Sequence, residues 1–438
     1  MPPRHLYVHV PFCARRCAYC DFSIAVRRTT PVDEYLGALK TELAMVAREQ
    51  GLDQSGQWLL ETVYLGGGTP SQLGMGLPRV LDLVRGVATI APGAEVTIEA
   101  NPEDVTRETA AAWRRAGVNR VSLGSQSFDP TVLAWMHRVH SAEQIPRAVE
   151  IARAAGFDNI SLDLIFALPK SLNRDWKRDL DSTVALDPAH ISLYGLTIEP
   201  KTPLARWRDR GEVREAGDDS YADEFLLAHG TLAAAGYDHY EVSNFSKPGL
   251  HSRHNSAYWS GAAYAGVGPS AHSFDGARRW WNVAPYAEWI ERLRTGSSPV
   301  ADVEVLDEEN ISNERVYLGL RTTTGVRVAG EELGELQPWV DSGWAAFSQP
   351  AAANQVSQAA PEWGAPQERL SRTSSAPATR TSSLVRRSSG GAPHPGAAPA
   401  PIASHTTDER QLRLTPSGWL LLDELATSLT CIRSRSYV

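Results

Sequence analysis

The chain has 438 residues, of which 42% are hydrophobic and 21% are charged, and this composition is typical of a globular protein with a buried core. The length suggests two or three domains. A formal net charge of −8 argues against a general affinity for nucleic acid. No apolar run approaches the roughly 20 residues that a membrane-spanning helix needs, so we expect no integral membrane segment. The N-terminal region lacks the pattern of a secretory signal, and we expect a cytoplasmic protein.

Short apolar runs alternate with helical patterns over the first 200 residues. The runs that predict strands are residues 5–10, 61–68, 94–101, 120–127, 159–169 and 190–200. The helical patterns between them include residues 32–49, 106–116, 141–155 and 173–185. A succession of six strand–helix units predicts an α/β fold whose parallel sheet curves into an incomplete (β/α)6 barrel over residues 1–200.

The remainder of the chain divides into three predicted parts. Residues 201–346 predict a mixed α+β extension, with a helix near 218–235 followed by loops and short strands. Residues 348–407 are rich in Ala, Ser, Pro, Thr and Arg, and they predict a disordered or aberrant insertion because such a segment cannot bury a core. An amphipathic apolar pattern resumes at 410–429, so we assign residues 408–438 to the remainder of the C-terminal domain.

Three of the four cysteines lie close together, at Cys13, Cys17 and Cys20. Thiolates are the usual protein ligands of iron–sulfur clusters. Three thiolates can hold three irons of a [4Fe–4S] cube and leave the fourth iron open to an exogenous ligand. The alternative is a zinc site, for which His9 could serve as the fourth ligand.

Together with Tyr19 before the third cysteine, this C-x3-C-x2-C motif resembles the signature of the radical SAM enzymes. The stretch LYVHVPFCARRCAYCDF at residues 6–22 resembles the coproporphyrinogen III dehydrogenase branch of that superfamily and its relatives, the HemW-type haem chaperones. Phe22 separates the two branches, because the coproporphyrinogen enzymes typically carry a further cysteine at this position. The sequence therefore indicates the chaperone branch.

The resemblance also implies a site for S-adenosylmethionine (SAM). In the family, the glycine loop GGGTP, here residues 66–70, holds the amino group of SAM, and the other matching positions contact its methionine moiety or ribose. Several of them follow predicted strands, at the rim where β/α barrels build their active sites. For Asp163 the alternative is a structural buried ion pair. The implied SAM-binding residues are Tyr7, Tyr19, Gly67, Gly68, Thr69, Glu99, Gln126, Arg138 and Asp163.

A second motif, RHNSAYW at residues 253–259, matches the H-N-x-x-Y-W pattern of haem-binding relatives through His254, Asn255, Tyr258 and Trp259. Imidazole is a standard axial ligand of haem iron, and aromatic rings can pack on a porphyrin face. The resemblance thus implies haem ligation by His254. On the residues alone, a hydrogen-bonded loop histidine among core aromatics is the alternative, and His251 and His272 are unassigned.

These features predict a haem chaperone that binds a [4Fe–4S] cluster, SAM and haem and transfers the haem to an acceptor protein. The alternative is an oxygen-independent coproporphyrinogen III dehydrogenase, which would use the same cluster. A third reading is a degenerate fold retained as a binding module. No residue is assigned as catalytic, and homodimer formation, the identity of the acceptor and the cleavage of SAM are left open.

Overall fold

The computed structural model describes residues 2–50, 58–348 and 409–435. Its strands, in chain order, are β1 (His5–Val10), β2 (Phe12–Cys13), β3 (Ala25–Val26), β4 (Leu59–Gly67), β5 (Thr89–Ala100), β6 (Arg120–Gln126), β7 (Asn159–Phe166), β8 (His190–Gly195), β9 (Asp238–Glu241), β10 (Asn244–Ser246), β11 (Tyr264–Val267), β12 (His272–Phe274), β13 (Arg278–Asn282), β14 (Val300–Val305), β15 (Val326–Val328), β16 (Ala345–Ser348) and β17 (Arg410–Leu414).

The α-helices of the same residues are α1 (Val32–Glu49), α2 (Leu77–Arg85), α3 (Arg107–Arg115), α4 (Pro130–Trp135), α5 (Gln144–Ala154), α6 (Trp176–Ala185), α7 (Pro203–Asp209), α8 (Asp218–Ala234), α9 (Arg253–Trp259), α10 (Tyr286–Arg294), α11 (Glu308–Leu320), α12 (Leu333–Asp341), α13 (Pro416–Trp419) and α14 (Leu422–Arg435). The four helices predicted between the barrel strands are confirmed to within three residues at each end. Helices α3 and α5 are each followed by a glycine with positive φ, Gly117 and Gly156, which ends a helix without steric strain.

The predicted parallel barrel is confirmed. Strands β1, β4, β5, β6, β7 and β8 lie side by side in that order, and every neighbouring pair is parallel. Helices follow most of the strands and cover the outer side of the sheet, as in other β/α barrels. The carboxyl ends of the six strands consequently meet at one rim.

Successive residues along these strands face opposite sides of the sheet. Val63 of β4 points outward and is fully buried in the same apolar cluster as Leu43 of α1. The next residue, Tyr64, points into the barrel, where its hydroxyl donates a hydrogen bond of 2.8 Å to Glu99 of β5. The outer face therefore supplies the hydrophobic core, while the inner face carries polar and aromatic side chains.

Later parts of the chain lengthen the same sheet at both sides. Strand β11 pairs in parallel with β1, and β12, β13 and β14 continue outward from it in antiparallel fashion. At the other side, β10 pairs with β8, and β9 forms the edge. The sheet thus runs across residue 200, where the sequence analysis placed a domain boundary.

A second core lies beside β8. A small antiparallel sheet of β15, β17 and β16 packs with helices α8, α11, α12 and α14 around residues such as Phe225, Trp419 and Leu429. Apart from Ser348, the predicted insertion at 348–407 lies outside the described residues. The strands that precede and follow it are direct neighbours, since Ser348 is paired with Gln411.

Within the described ranges, no helix combines the length and the apolar character needed to cross a membrane.

Candidate cluster and cofactor site

The three clustered cysteines lie in a loop at the carboxyl end of β1. Hydrogen bonds hold this loop from two directions, because the Ala18 amide donates to the Met136 carbonyl at 3.0 Å and the Leu204 amide donates to the Ala18 carbonyl at 2.9 Å. Cys13 is buried and Cys17 and Cys20 are half-buried. All three line one cavity of about 430 Å³ at the rim of the barrel.

The thiols fit a cluster better than a single ion. Among residues 2–50, 58–348 and 409–435, no three His, Cys, Asp or Glu side chains converge closely enough to hold one metal ion. A [4Fe–4S] cube binds each thiolate through a different iron and therefore needs ligands that are spread more widely. His9, the fourth ligand considered for zinc, is occupied elsewhere, since its Nε2 lies 3.1 Å from the Ser23 carbonyl and its Nδ1 3.2 Å from the Tyr7 hydroxyl.

The environment of the thiols affects their ionisation. Burial raises the pKa of Cys13, and burial likewise raises the pKa of Cys20 to about 12. In the metal-free protein these groups are therefore protonated at neutral pH, and binding of a cluster would displace their protons. The Arg138 guanidinium opposes the effect of burial on the pKa of Cys13, and its Nη1 lies 3.6 Å from the Cys17 sulfur.

The glycine loop after β4 packs directly against the cysteine loop. A Cβ on Gly68 would lie 2.7 Å from the backbone of Pro11, so any side chain at this position would force the two loops apart. Gly67 has a φ of +111°, a conformation that favours glycine. The Thr69 hydroxyl lies 3.3 Å from the Cys13 sulfur. The glycines therefore bring the backbone of the loop to the wall of the cluster cavity, where the resemblance implies that it holds the SAM amino group.

Glu99 lies at the end of β5, facing the glycine loop. Its carboxylate accepts a hydrogen bond of 3.1 Å from the Gly67 amide and one of 2.8 Å from the Tyr64 hydroxyl. Burial raises the pKa of Glu99 to about 7, although both hydrogen bonds act in the opposite direction. The side chain is thus close to its titration point at neutral pH and can bind a cationic or hydroxyl group of a ligand.

Arg138 is a half-buried residue of the cavity wall, not a fully solvent-exposed charge. Its Nη2 donates to the Asn101 side-chain oxygen at 2.6 Å and to the Gly124 carbonyl at 2.7 Å. Its Nε has no hydrogen-bond partner among the described residues. The Arg138 charge also acts on Glu103, whose pKa it lowers, while the neutral acceptors and the unpartnered Nε leave the guanidinium able to bind an anionic ligand group as well.

The four remaining SAM candidates line two different cavities. Tyr19, Gln126 and Asp163 line the cluster cavity, whereas Tyr7 lines a neighbouring one. Asp163 accepts hydrogen bonds of 3.0 and 3.2 Å from the Ser122 hydroxyl, and burial raises its pKa. Its close partners are hydroxyl groups, so the arrangement differs from the buried ion pair considered as an alternative.

The neighbouring cavity has a volume of about 1000 Å³ and shares Asp21, Phe22, Gly67 and Glu99 with the cluster cavity. Its other walls come from α9, from the β12–β13 hairpin and from α11. Many of its lining side chains are aromatic, namely Tyr7, Phe22, Tyr258, Trp259, Tyr264, Phe274 and Tyr317. We call it the aromatic cavity.

The H-N-x-x-Y-W motif forms α9, and its residues face different surroundings. Tyr258 and Trp259 line the aromatic cavity, whereas Asn255 is half-buried and lines neither of the two cavities. His254 points into the barrel, where only 1% of it is exposed and its ring stacks on Tyr64 with centroids 5.0 Å apart.

Both ring nitrogens of His254 are already engaged. Nδ1 lies 2.7 Å from the Thr62 hydroxyl, and Nε2 lies 2.8 Å from the Tyr258 hydroxyl. Burial lowers the pKa of His254 to about 3, so the ring is neutral at physiological pH. To bind haem iron, the ring would have to break one of these bonds and leave the barrel interior. Its assignment as haem ligand stays a prediction that this geometry does not favour.

Comparison with known proteins identifies the family. The radical SAM superfamily matches residues 7–182. Heme chaperone HemW of Mycobacterium tuberculosis is 42% identical over 331 residues, which is 75% of this chain and 84% of that protein. Heme chaperone HemW of Bacillus subtilis is 37% identical and covers 73% of this chain and 84% of its own length. The chain belongs to the HemW family of radical SAM proteins.

The structure of coproporphyrinogen III oxidase HemN from Escherichia coli, a radical SAM enzyme, is also similar. It has a TM-score of 0.67 and 22% identity over 79% of this chain and 85% of that one. This likeness shows a shared fold. Membership of the superfamily implies a [4Fe–4S] cluster and SAM, and the three thiols, the glycine loop and Glu99 offer suitable groups for both in this HemW-family chain.

Sequence reasoning missed several residues of the site. Asn101, which holds Arg138, follows Glu99 by two positions and belongs to the same strand end, so its position was a usable signal. Tyr194 is the last residue but one of β8, and it lines the cluster cavity as well. The residues of β12, β13 and α11 that line the aromatic cavity belong to no motif, and nothing in the local sequence predicts that they lie there.

Proposed function

We propose that this protein is a cytoplasmic haem chaperone that binds a [4Fe–4S] cluster, SAM and haem and passes the haem to an acceptor protein. The relatives that it resembles at 42% and 37% identity are named heme chaperones. The single observation that carries the proposal is the aromatic cavity of about 1000 Å³, which adjoins the cluster cavity. A porphyrin is a large flat apolar ring, and such a lining suits it.

The exposure of Phe22 supports this assignment. Its side chain is 59% exposed although it stands between two cavities, and an exposed aromatic group at a concave site indicates a surface that binds an apolar ligand. This is also the position at which the coproporphyrinogen enzymes typically carry a cysteine. A phenylalanine offers porphyrin contact in place of a reactive thiol.

The charges of the aromatic cavity weigh against the alternative substrate. Coproporphyrinogen carries more propionate groups than haem, and a site for it needs several cations. Arg279 is the one arginine or lysine among the residues that line the cavity, and Glu314 already binds it at 2.7 and 2.8 Å. The lining also includes the carboxylates of Asp21, Glu99 and Glu314, which would repel additional propionates.

A paired assay tests the proposal. The cluster is reconstituted anaerobically in the full chain, haem is added, and retention is measured after gel filtration; coproporphyrinogen III is supplied to the same preparation together with SAM and a reductant. We expect about one haem per chain, transfer of that haem to an added apo-haemoprotein, and no protoporphyrinogen. Failure to retain haem, or turnover of coproporphyrinogen, would contradict the proposal. Assay of methionine and 5′-deoxyadenosine reports whether SAM is cleaved.

A further inference from the structure

One histidine of the aromatic cavity has a free ring. His272 is the first residue of β12, lines the cavity and is exposed. Neither of its ring nitrogens has a hydrogen-bond partner among the described residues, and its ring stacks on Trp281 of β13 with centroids 5.7 Å apart and planes at 25°. The ring is thus held in orientation by an aromatic neighbour while its nitrogens remain available.

The other histidines near the cavity do not have this freedom. His9 lines it, but its two nitrogens lie 3.2 Å from the Tyr7 hydroxyl and 3.1 Å from the Ser23 carbonyl. His254 is screened from the cavity by Tyr258, whose hydroxyl lies 2.8 Å from its Nε2. A ligand that enters the cavity therefore meets the imidazole of His272 without displacing any existing hydrogen bond.

Tyrosine is the other residue type of this lining that can ligate haem iron, and it does so as a phenolate. Burial raises the pKa of Tyr264 and of Tyr317, so both hydroxyls keep their protons at neutral pH. These rings instead offer apolar surface for the macrocycle. His272 therefore remains as the one imidazole of the described lining whose nitrogens are not already engaged.

We propose that His272 supplies the axial imidazole for haem iron in the aromatic cavity, while His254 of the H-N-x-x-Y-W motif stays inside the barrel as a structural residue. The inference rests on the proposed function, since it concerns how the same site holds its haem. The ligand recognised by this site is an iron porphyrin. Its iron coordinates the free imidazole of His272, and its ring packs against Phe22, Trp259 and Tyr264.

The test uses the full chain with its reconstituted cluster and hemin as the probe. Haem-minus-apo difference spectra and electron paramagnetic resonance of the ferric haem are recorded for wild type, His272→Ala, His254→Ala and His251→Ala. His251 is a matched control, because it is also an exposed histidine but stacks on Tyr240 and does not line the cavity. Circular dichroism and cluster absorbance confirm that each variant is folded.

We expect His272→Ala to lose the spectrum of imidazole-ligated haem and to weaken hemin binding by roughly tenfold or more, with free imidazole restoring the wild-type spectrum. His251→Ala should match wild type. An unchanged spectrum and affinity in His272→Ala would overturn the inference, as would loss of imidazole ligation in a folded His254→Ala alone. Absence of hemin binding in wild type would instead overturn the proposed function, and this inference with it.

Discussion

Glu99 is an ionisable residue of the cluster cavity whose pKa lies close to neutral pH. It lies where the glycine loop, β4 and β5 meet, and burial there raises its pKa to about 7. The nearby Glu103 behaves differently. Burial would raise its pKa too, but His140, whose Nδ1 lies 3.5 Å from the carboxylate, the local backbone and the charge of Arg138 together outweigh this effect, and the pKa is lowered. Two glutamates of one cavity thus differ in charge at neutral pH.

This difference predicts how SAM binding depends on pH. Below pH 7 Glu99 is largely protonated, and above it the carboxylate forms, which binds an ammonium or hydroxyl group of SAM more strongly. We expect the dissociation constant to fall by roughly tenfold between pH 6 and pH 8, measured by equilibrium dialysis on the reconstituted protein. Glu99→Gln should abolish this slope and Glu103→Gln should keep it. An equal slope in Glu99→Gln would show that another group is responsible.

The residues of the site were predictable from sequence where a motif coincides with a strand end. Cys13, the glycine loop and Glu99 each lie at or just after the carboxyl end of a barrel strand, and parallel strands bring these ends together, so their convergence follows from the topology. The orientation of His254 was not predictable in this way. It depends on a hydroxyl of β4 that is distant in sequence, and only the folded chain brings Thr62 to its Nδ1.

At the scale of elements, α9 closes the interior of the barrel. Its first turn is held by Glu95 of β5, which accepts hydrogen bonds of 2.9 and 3.0 Å from the amides of Arg253 and His254. His254 and Tyr258 are four residues apart and lie on the same face of the helix. The Glu95 carboxylate at the start of α9 and the contact of His254 with Tyr258 along it therefore determine which face of the helix points into the barrel.

This role predicts that His254→Ala lowers the stability of the apoprotein. The substitution empties a fully buried site and leaves the Tyr258 hydroxyl without its partner, which should reduce the free energy of unfolding by about 3 kcal/mol. His251→Ala, at an exposed ring, should change it by less than about 0.5 kcal/mol. Urea denaturation of the cluster-free protein, followed by circular dichroism, measures both values. Equal midpoints in the two variants would contradict the structural role of His254.

The elements of the barrel were predictable because their signals are local. Helix α1 has its predicted bounds, and each barrel strand was identified from its apolar run. The place of β11 beside β1 was not predicted, since pairing between strands more than 250 residues apart leaves no pattern in either segment. The position of His272 depends on the same long-range pairing, because β11 joins the hairpin of β12 and β13 to the barrel.

At the scale of the molecule, the antiparallel pairing of β16 with β17 resembles that of a simple hairpin. Ala345 is paired with Leu414 and Ser348 with Gln411, without a register shift. The sheet therefore requires only that the two strands be joined, and a short turn can do this. That geometry agrees with the hypothesis that the stretch between them is an addition to the fold.

We therefore predict that residues 349–408 can be replaced by Asn-Gly without loss of structure. If the segment behaves as the disordered loop that its composition predicts, closing a much shorter loop should raise the free energy of unfolding by about 2 kcal/mol. Chemical denaturation and the iron content after reconstitution compare the shortened and full chains. A shortened chain that fails to fold or to load its cluster would show that the segment belongs to the domain.

The position of β1 inside the sheet has a consequence for how the protein is made. The cysteine loop follows β1 immediately, so its thiols are synthesised well before β11, and one edge of β1 stays unpaired until Tyr264–Val267 has been added to the chain. An unpaired edge of this kind is prone to association with other chains. Because the cysteine loop extends from β1, we expect the delivery of iron and sulfide to its thiols to follow the synthesis of β11.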